Sequence, residues 1–459
     1  PPTAPTPPSA PTPPTAPPAP PGAAAPQTDP ALAARVRELE KRLAAVAAEQ
    51  EKQAAATQAD PSVHIRPFDL TAGIRAQLQL LLQVDAIPYR QSAQDEINPS
   101  TGAPLNTERF LIQRGRPRFH AQSKYVTGVI MVDGNTVNGP SVRVLEAEAT
   151  ARWPSPDPSA PPYLALGVGL FRTPFGFELQ QQARQRVFYE RTNAARGLFG
   201  SSFDLGARLH GGYRFLRYSA AVMNGNPVGT GSFELADPSR SKDFLFRAGI
   251  ETTIGATHIE VGVSGLAGEG FHKGTLSTKD TFSWRDENGN GLVDPTELVP
   301  IPGSAASPSL PFSRFALGAD ARVITRPWSL GELTVQGEVY RASNLDRTLF
   351  PSDPITAGRN VRQLGWNVGI TQQLTRYGVI GVRYDTYDPD TDAVEVAPTG
   401  AVPAPRTFST VSLTGGVVYP PGRLLMQYDV NRNPYGRDAT GRPTTLADDT
   451  LTIRGEVAF

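Results

Sequence analysis

Residues 286–297 read DENGNGLVDPTE, a run of oxygen-bearing side chains spaced to hold a hard divalent cation. Asp286, Asn288, Asn290, Asp294 and Glu297 occupy positions 1, 3, 5, 9 and 12 of the pattern D-x-[DN]-x-[DN]-G-x5-E, and Leu292 offers its carbonyl at position 7. Gly291, at position 6, permits the sharp turn that brings such oxygens inward. The expectation is a structural calcium site ordering a loop; the competing reading is a solvated Asn/Gly-rich turn. Pro295, Pro300 and Pro302 argue against the flanking helices of a helix–loop–helix site. A second group is cationic. Arg184, Arg186, Arg191 and Arg196 fall within 174–203 against Glu178 and Glu190, with Arg172 just ahead. Guanidinium groups are weakly hydrated and present forked donors, which suits brief contact with anions. Pairing with the two carboxylates is the alternative.

Other chemistry is absent from the sequence. The five histidines (His64, His120, His210, His258, His272) are scattered without metal-ligand spacing, and there is no cysteine. HExxH, GxSxG and GxxxxGK[ST] do not occur, so an enzyme is not expected. With 44 basic and 44 acidic residues, bulk charge does not favour nucleic acid.

The elements that must carry these groups have a period of two from residue 69 onward. In TAGIRAQLQLLLQVD, Ile74, Ala76, Leu78, Leu80, Leu82 and Val84 share one face, opposite Arg75, Gln77, Gln79, Gln83 and Asp85. ELTVQGEVY, WNVGITQ, GVIGVRYD, RLLMQYDV and TLTIRGEVAF repeat the rule. No run of eighteen apolar residues occurs, which excludes a helical span but leaves a transmembrane β-barrel open. The expected fold is an all-β, sixteen-stranded antiparallel transmembrane barrel. Its strands are expected at 71–87, 108–119, 123–133, 141–153, 163–173, 204–214, 217–224, 243–253, 257–267, 313–327, 332–343, 362–374, 378–388, 408–419, 423–432 and 448–459. Connections alternate between tight turns and long loops, the asymmetry of such barrels, and the last strand ends on the aromatic Phe459.

On this alternation, Arg75, Arg208, Arg247, Arg322, Arg383 and Arg454 face the lumen, and so do Asp85, Glu146, Glu148, Glu251, Glu260, Asp320, Glu332, Glu338, Asp385, Asp429 and Glu456. The wall as a whole is therefore not basic. Pairing across the wall is the plainer reading of its arginines, and anion contact the sharper one.

Ahead of the barrel (69–459), residues 1–30 hold fourteen prolines and read as a disordered polyproline tether. Residues 31–57 place Leu32, Val36, Leu39, Leu43 and Val46 on a heptad seam, expected as an oligomeric coiled coil or a single amphipathic helix. A linker, 58–68, follows.

The stretch 109–226 resembles the phosphate-selective porin O and P family. GLFRTPFG (169–176), ERTNAARGLF (190–199), DLGARLHG (204–211) and MNGN (223–226) occur in that order. The resemblance implies a homotrimer in the bacterial outer membrane and a loop, 174–203 here, that folds into the lumen as the constriction. The even strand count places the N-terminal arm on the short-turn, periplasmic rim, and the calcium-type loop, in the longest connection of the long-loop rim, is expected to face outside. The function expected is passive diffusion of small solutes, with an anion or phosphate preference set by Arg172, Arg184, Arg186, Arg191 and Arg196. The alternative is a non-conducting anchor or scaffold, tethered to cell wall or a periplasmic protein by its arm.

Overall fold

The computed structural model describes residues 68–71, 73–90, 108–157, 160–200, 202–225, 241–327, 330–397, 400–404, 406–434, 436–437, 443–445 and 448–459. The expectations for the proline tether and the coiled coil lie outside the described residues.

The main sheet has seventeen strands: a short one, Phe68–Thr71, and sixteen that close on themselves. The sixteen are β1 Ile74–Arg90, β2 Arg109–Gln122, β3 Val126–Asn135, β4 Ser141–Trp153, β5 Leu164–Arg172, β6 Phe203–Tyr213, β7 Leu216–Met223 and β8 Asp243–Ile254. They continue as β9 Thr257–His272, β10 Leu310–Thr325, β11 Leu333–Ser343, β12 Arg362–Gln373, β13 Gly378–Asp388, β14 Phe408–Tyr419, β15 Gly422–Arg432 and β16 Thr450–Ala458. Every neighbouring pair is antiparallel. Closure comes from β1, which pairs with β2 on one edge and β16 on the other. Phe459 completes that seam, exchanging backbone hydrogen bonds of 2.9 and 3.0 Å with Leu80. Closure leaves no open sheet edge, which a membrane would penalise heavily.

The alternation is carried through to exposure. Leu78, Leu80, Leu82 and Val84 of β1 are exposed while Gln83 and Asp85 are buried inside. Leu364, Trp366, Val368 and Ile370 of β12 are exposed opposite buried Gln363 and Asn367. A water-soluble sheet would reverse this pattern; a lipid-facing one requires it. Tyr125, Trp153, Tyr163, Tyr213, Phe215, Tyr377 and Tyr419 are exposed near the tight-turn rim, and Phe110, Phe244, Phe315 and Trp366 toward the other end. These are aromatic girdles of the kind that sit at membrane interfaces.

The inner face is polar over part of the wall and apolar over the rest. Phe175, Leu179, Ala194, Ala195, Leu198 and Phe199 of the 173–202 connection pack on Met223, Leu245, Leu266, Ala316, Tyr340 and Tyr387 of the wall. Burying each of the large side chains contributes roughly 1.5–3 kcal/mol. The connection therefore behaves as a small hydrophobic core seated against β7–β13. Its helix Asn193–Phe199 (α1), capped by Thr192, lies so close to the wall that a Cβ on Gly365 would come within 2.4 Å of the Ala194 Cβ. Glycine at 365 is what permits this approach.

Candidate functional site: the lumen and its inserted loop

The 173–202 connection leaves β5, spans the interior and returns to β6. At its start Gly176 N–H donates to Ser264 Oγ of β9 at 3.0 Å, and Glu178 N–H to Glu338 Oε1 of β11 at 2.7 Å. Glu178 itself accepts from the Thr192 N–H and hydroxyl at 2.9 and 2.7 Å, tying the two arms of the loop together. On the far wall, Tyr189 N–H donates to Gln427 Oε1 of β15 at 2.9 Å. Asn193 Nδ2 donates to Asp385 of β13 and Thr410 of β14, each at 3.1 Å. One loop thus touches strands from β9 round to β2.

Among the cavities that border it within the described residues, two of the roomier ones share Gln180. The larger, 450 Å³, is lined by Phe177, Arg217, Arg247, Arg322, Glu251 and Glu260 among others. Each of its arginines is matched: Arg217 to Glu251 at 2.7 Å, Arg247 Nη2 to Asp320 at 2.7 Å, and Arg322 to Glu260 at 3.3 Å. The smaller, 250 Å³, brings Arg116, Arg118, Arg172, Arg184 and Arg208 together with one acid, Glu146. Arg116 pairs with Asp133 at 2.6 Å, Arg118 with Glu146 at 3.1 Å, and Arg208 with Glu148 at 2.6 Å. Arg172 Nη1 donates to the carbonyls of Gln180 and Gln181, each at 2.8 Å. Those bonds hold the guanidinium without cancelling its charge.

Arg186 is 8% exposed, and its Nε is buried without a hydrogen-bond partner among the described residues. Its strongest electrostatic neighbours are Arg114, Arg191, Glu190 and Arg116. A buried donor left unmatched costs free energy that an acceptor from solution would restore.

The expected constriction set is therefore divided. Arg172 and Arg184 reach the smaller cavity. Arg191 turns back to bond Ser202 Oγ and the Leu179 carbonyl, an internal tie. Arg196 is exposed on α1 and borders neither cavity. Of the wall set, Arg208 joins the basic cavity, Arg247 and Arg322 the paired one, and Arg75 is exposed. Arg383 lies 3.5 Å from Glu178, and Arg454 pairs with Asp85 at 2.6 Å. Cross-wall pairing is the rule for these wall arginines. The period-two run Arg114, Arg116, Arg118 on β2 was not among the expected lumen residues, although RGRPRF displays it in the sequence.

The calcium-type segment lies in the 273–309 connection and joins the two strands of a hairpin, Thr281–Trp284 and Leu298–Ile301. Asp286 accepts from the N–H groups of Gly289, Asn290 and Gly291 at 2.6–3.2 Å. Asn288 Nδ2 donates to Asp294 at 2.9 Å. Glu297 folds back to accept from Glu287 N–H and Asn288 N–H, and from Trp284 Nε1 at 3.1 Å. Desolvation pushes the Glu297 pKa up, but these donors outweigh it and hold the carboxyl below its ordinary range. Gly289 and Gly291 have φ of 71° and 70°, which glycine adopts without strain. Among the described residues no three acidic or histidine side chains gather as a metal group. A cation here would draw on Asn288, Asn290 and the Leu292 carbonyl as well.

No family model matches the sequence, and no curated protein is significantly similar to it. Among solved structures, the outer membrane channel DcaP of Acinetobacter baumannii aligns over 86% of this chain and 100% of its own, at 11% identity and a TM-score of 0.52. The fold is that of an outer-membrane porin. Pseudomonas putida OprB aligns over 84% of this chain and 94% of its own (10% identity, TM-score 0.48). An anion-selective porin from Comamonas acidovorans covers 84% of this chain and 100% of its own (7% identity, TM-score 0.48). Within this porin fold, the motif residues lie in and beside the loop's seat. Phe175 is in its core, Asn193 bonds β13, and Asp204 accepts the Gly225 N–H at 2.7 Å.

Proposed function

We propose that the protein is a diffusion channel of the bacterial outer membrane, not an enzyme, that passes small solutes and prefers anions, phosphate among them. One observation carries this reading: the inserted loop leaves beside it a cavity where five arginines meet three acids, Glu146 of the lining and the Asp133 and Glu148 that pair with Arg116 and Arg208. Such a site offers forked donors at a narrow point, where low dielectric strengthens the attraction. Residues 109–226, by their likeness to the phosphate-selective porin O and P family, point the same way. The chain works as a homotrimer, its Pro-rich arm and heptad helix lying in the periplasm. The 286–297 segment holds a structural calcium ion on the outer side, consistent with its inward-turned oxygens.

Single-channel recording in a planar bilayer tests the reading. The expected result is stable steps in threes, a reversal potential on the anion side under a salt gradient, and partial block by phosphate. Arg172→Ala and Arg184→Ala should each weaken both selectivity and block, by roughly two- to fivefold if each supplies about 0.5–1 kcal/mol of anion contact. Open steps without ionic preference would leave a general porin. Folded protein without steps would overturn the channel in favour of an anchor held by its N-terminal arm.

A further inference from the structure

We propose that Glu190 is the positioning residue that locks the inserted loop to the barrel's closing seam, and that by doing so it limits the positive charge the lumen presents. The proposal rests in part on the channel reading above, since its second half concerns ion preference.

The seam is where β1 meets β16, and Asp85 and Arg454 are register partners across it. Their side chains form a two-pronged pair, Arg454 Nε to Asp85 Oδ1 at 2.6 Å and Nη2 to Oδ2 at 2.7 Å. On the other edge of β1, Arg114 of β2 is the register partner of Gln83 and donates to its Oε1 at 2.9 Å. Glu190 reaches both edges at once. Its Oε1 accepts from Arg114 Nη2 at 2.9 Å, Gln113 Nε2 at 3.0 Å and Arg454 Nη2 at 3.3 Å, and its Oε2 from Arg114 Nη2 at 2.7 Å. The adjacent Tyr189 grips the same arginine: its carbonyl accepts from Arg454 Nη1 at 3.1 Å, and its ring lies 4.3 Å from the guanidinium carbon.

Arg454, Asp85 and Arg114 are 3%, 4% and 7% exposed, so a charge left over among them could not be screened well by water. Two cations and two anions balance. The Glu190 side chain, 38% exposed, is the member that borders the lumen. Neutralising it leaves one net positive charge next to Arg186, and also cuts the loop's ionic tie to the far wall. A residue that merely filled space would do neither.

The experiment compares purified full-length wild type with Glu190→Gln, Glu190→Asp, Asp85→Asn and the Glu190→Gln/Asp85→Asn double variant. Thermal unfolding in detergent and reversal potential under a salt gradient are the readouts. Glu190→Gln is expected to unfold several degrees lower and to raise the anion-to-cation permeability ratio roughly twofold. Glu190→Asp, which keeps the charge on a shorter stem, should hold selectivity near wild type while losing part of the stability. The double variant should be destabilised by less than the sum of the singles, because the two carboxylates share Arg454. Additive stability effects together with an unchanged reversal potential would overturn the proposal. If Glu190→Gln does not fold, Glu190→Asp paired with Asp85→Asn supplies the same cycle. If the wild type shows no conductance the channel reading falls, and the unfolding cycle alone still decides whether Glu190 locks the seam.

Discussion

The two sides of the inserted loop are built on opposite principles. Toward β7–β13 it buries Phe175, Leu179, Leu198 and Phe199 against an apolar wall. Toward β1–β6 it leaves a cavity of arginines held partly by backbone carbonyls. Hydrophobic burial is non-directional and is not screened by salt as charge pairs are, so it suits the side that must fix the loop in place. Arginines in contact with water are costly to order and responsive to ions, so they suit the side that meets solute. A loop held only by charge would shift with every ion that passed. The apolar seat is what lets the other face stay reactive.

The largest expected effect breaks the seat. Phe175→Ala with Phe199→Ala removes two rings tilted against each other with centroids 4.7 Å apart and should destabilise the barrel by about 3–5 kcal/mol for each substitution, less any sharing between neighbours. Unitary conductance should rise as the loop leaves the lumen. Retention of wild-type conductance at reduced stability would show that the polar ties to Glu338, Gln427 and Asp385 hold the loop without the core.

A smaller effect separates the two cavities. Arg322→Met in the paired cavity removes a charge already matched by Glu260 at 3.3 Å. Its reversal-potential shift should be less than half that of Arg172→Ala, whose guanidinium donates to two carbonyls. Equal shifts would mean that the ion path takes both flanks of the loop. The smallest effect lies outside the lumen. Chelating calcium should speed proteolysis within 273–309, and Glu297→Gln should abolish that calcium dependence while conductance stays as in wild type. Identical cleavage with and without chelator would remove calcium from the loop.

Much of this was legible in sequence. Strand boundaries fall within a few residues of those expected, and 141–153, 378–388 and 408–419 coincide with them. The apolar core inside the lumen was not expected, because a period-two pattern was taken to mean a polar interior. The local signal was present in FLF at 244–246, where alternation fails because Leu245 points inward while Phe244 and Phe246 face outward. Gln113 of β2 and Leu145 of β4 are extra residues opposite Gln83/Val84 and Met131/Val132, so parity counted from one end of β2 or β4 does not carry across these bulges.

Sequence alone determined the barrel, its strand count and its asymmetric rims, because each strand's two faces meet different solvents and that requirement is written residue by residue. Only the tertiary structure decided which charges cancel. Asp85 and Arg454 are 369 positions apart, and Glu190 joins Arg114 across 76. Pairing at such separations depends on closure of the ring and on where the loop is seated, and neither is encoded in local periodicity.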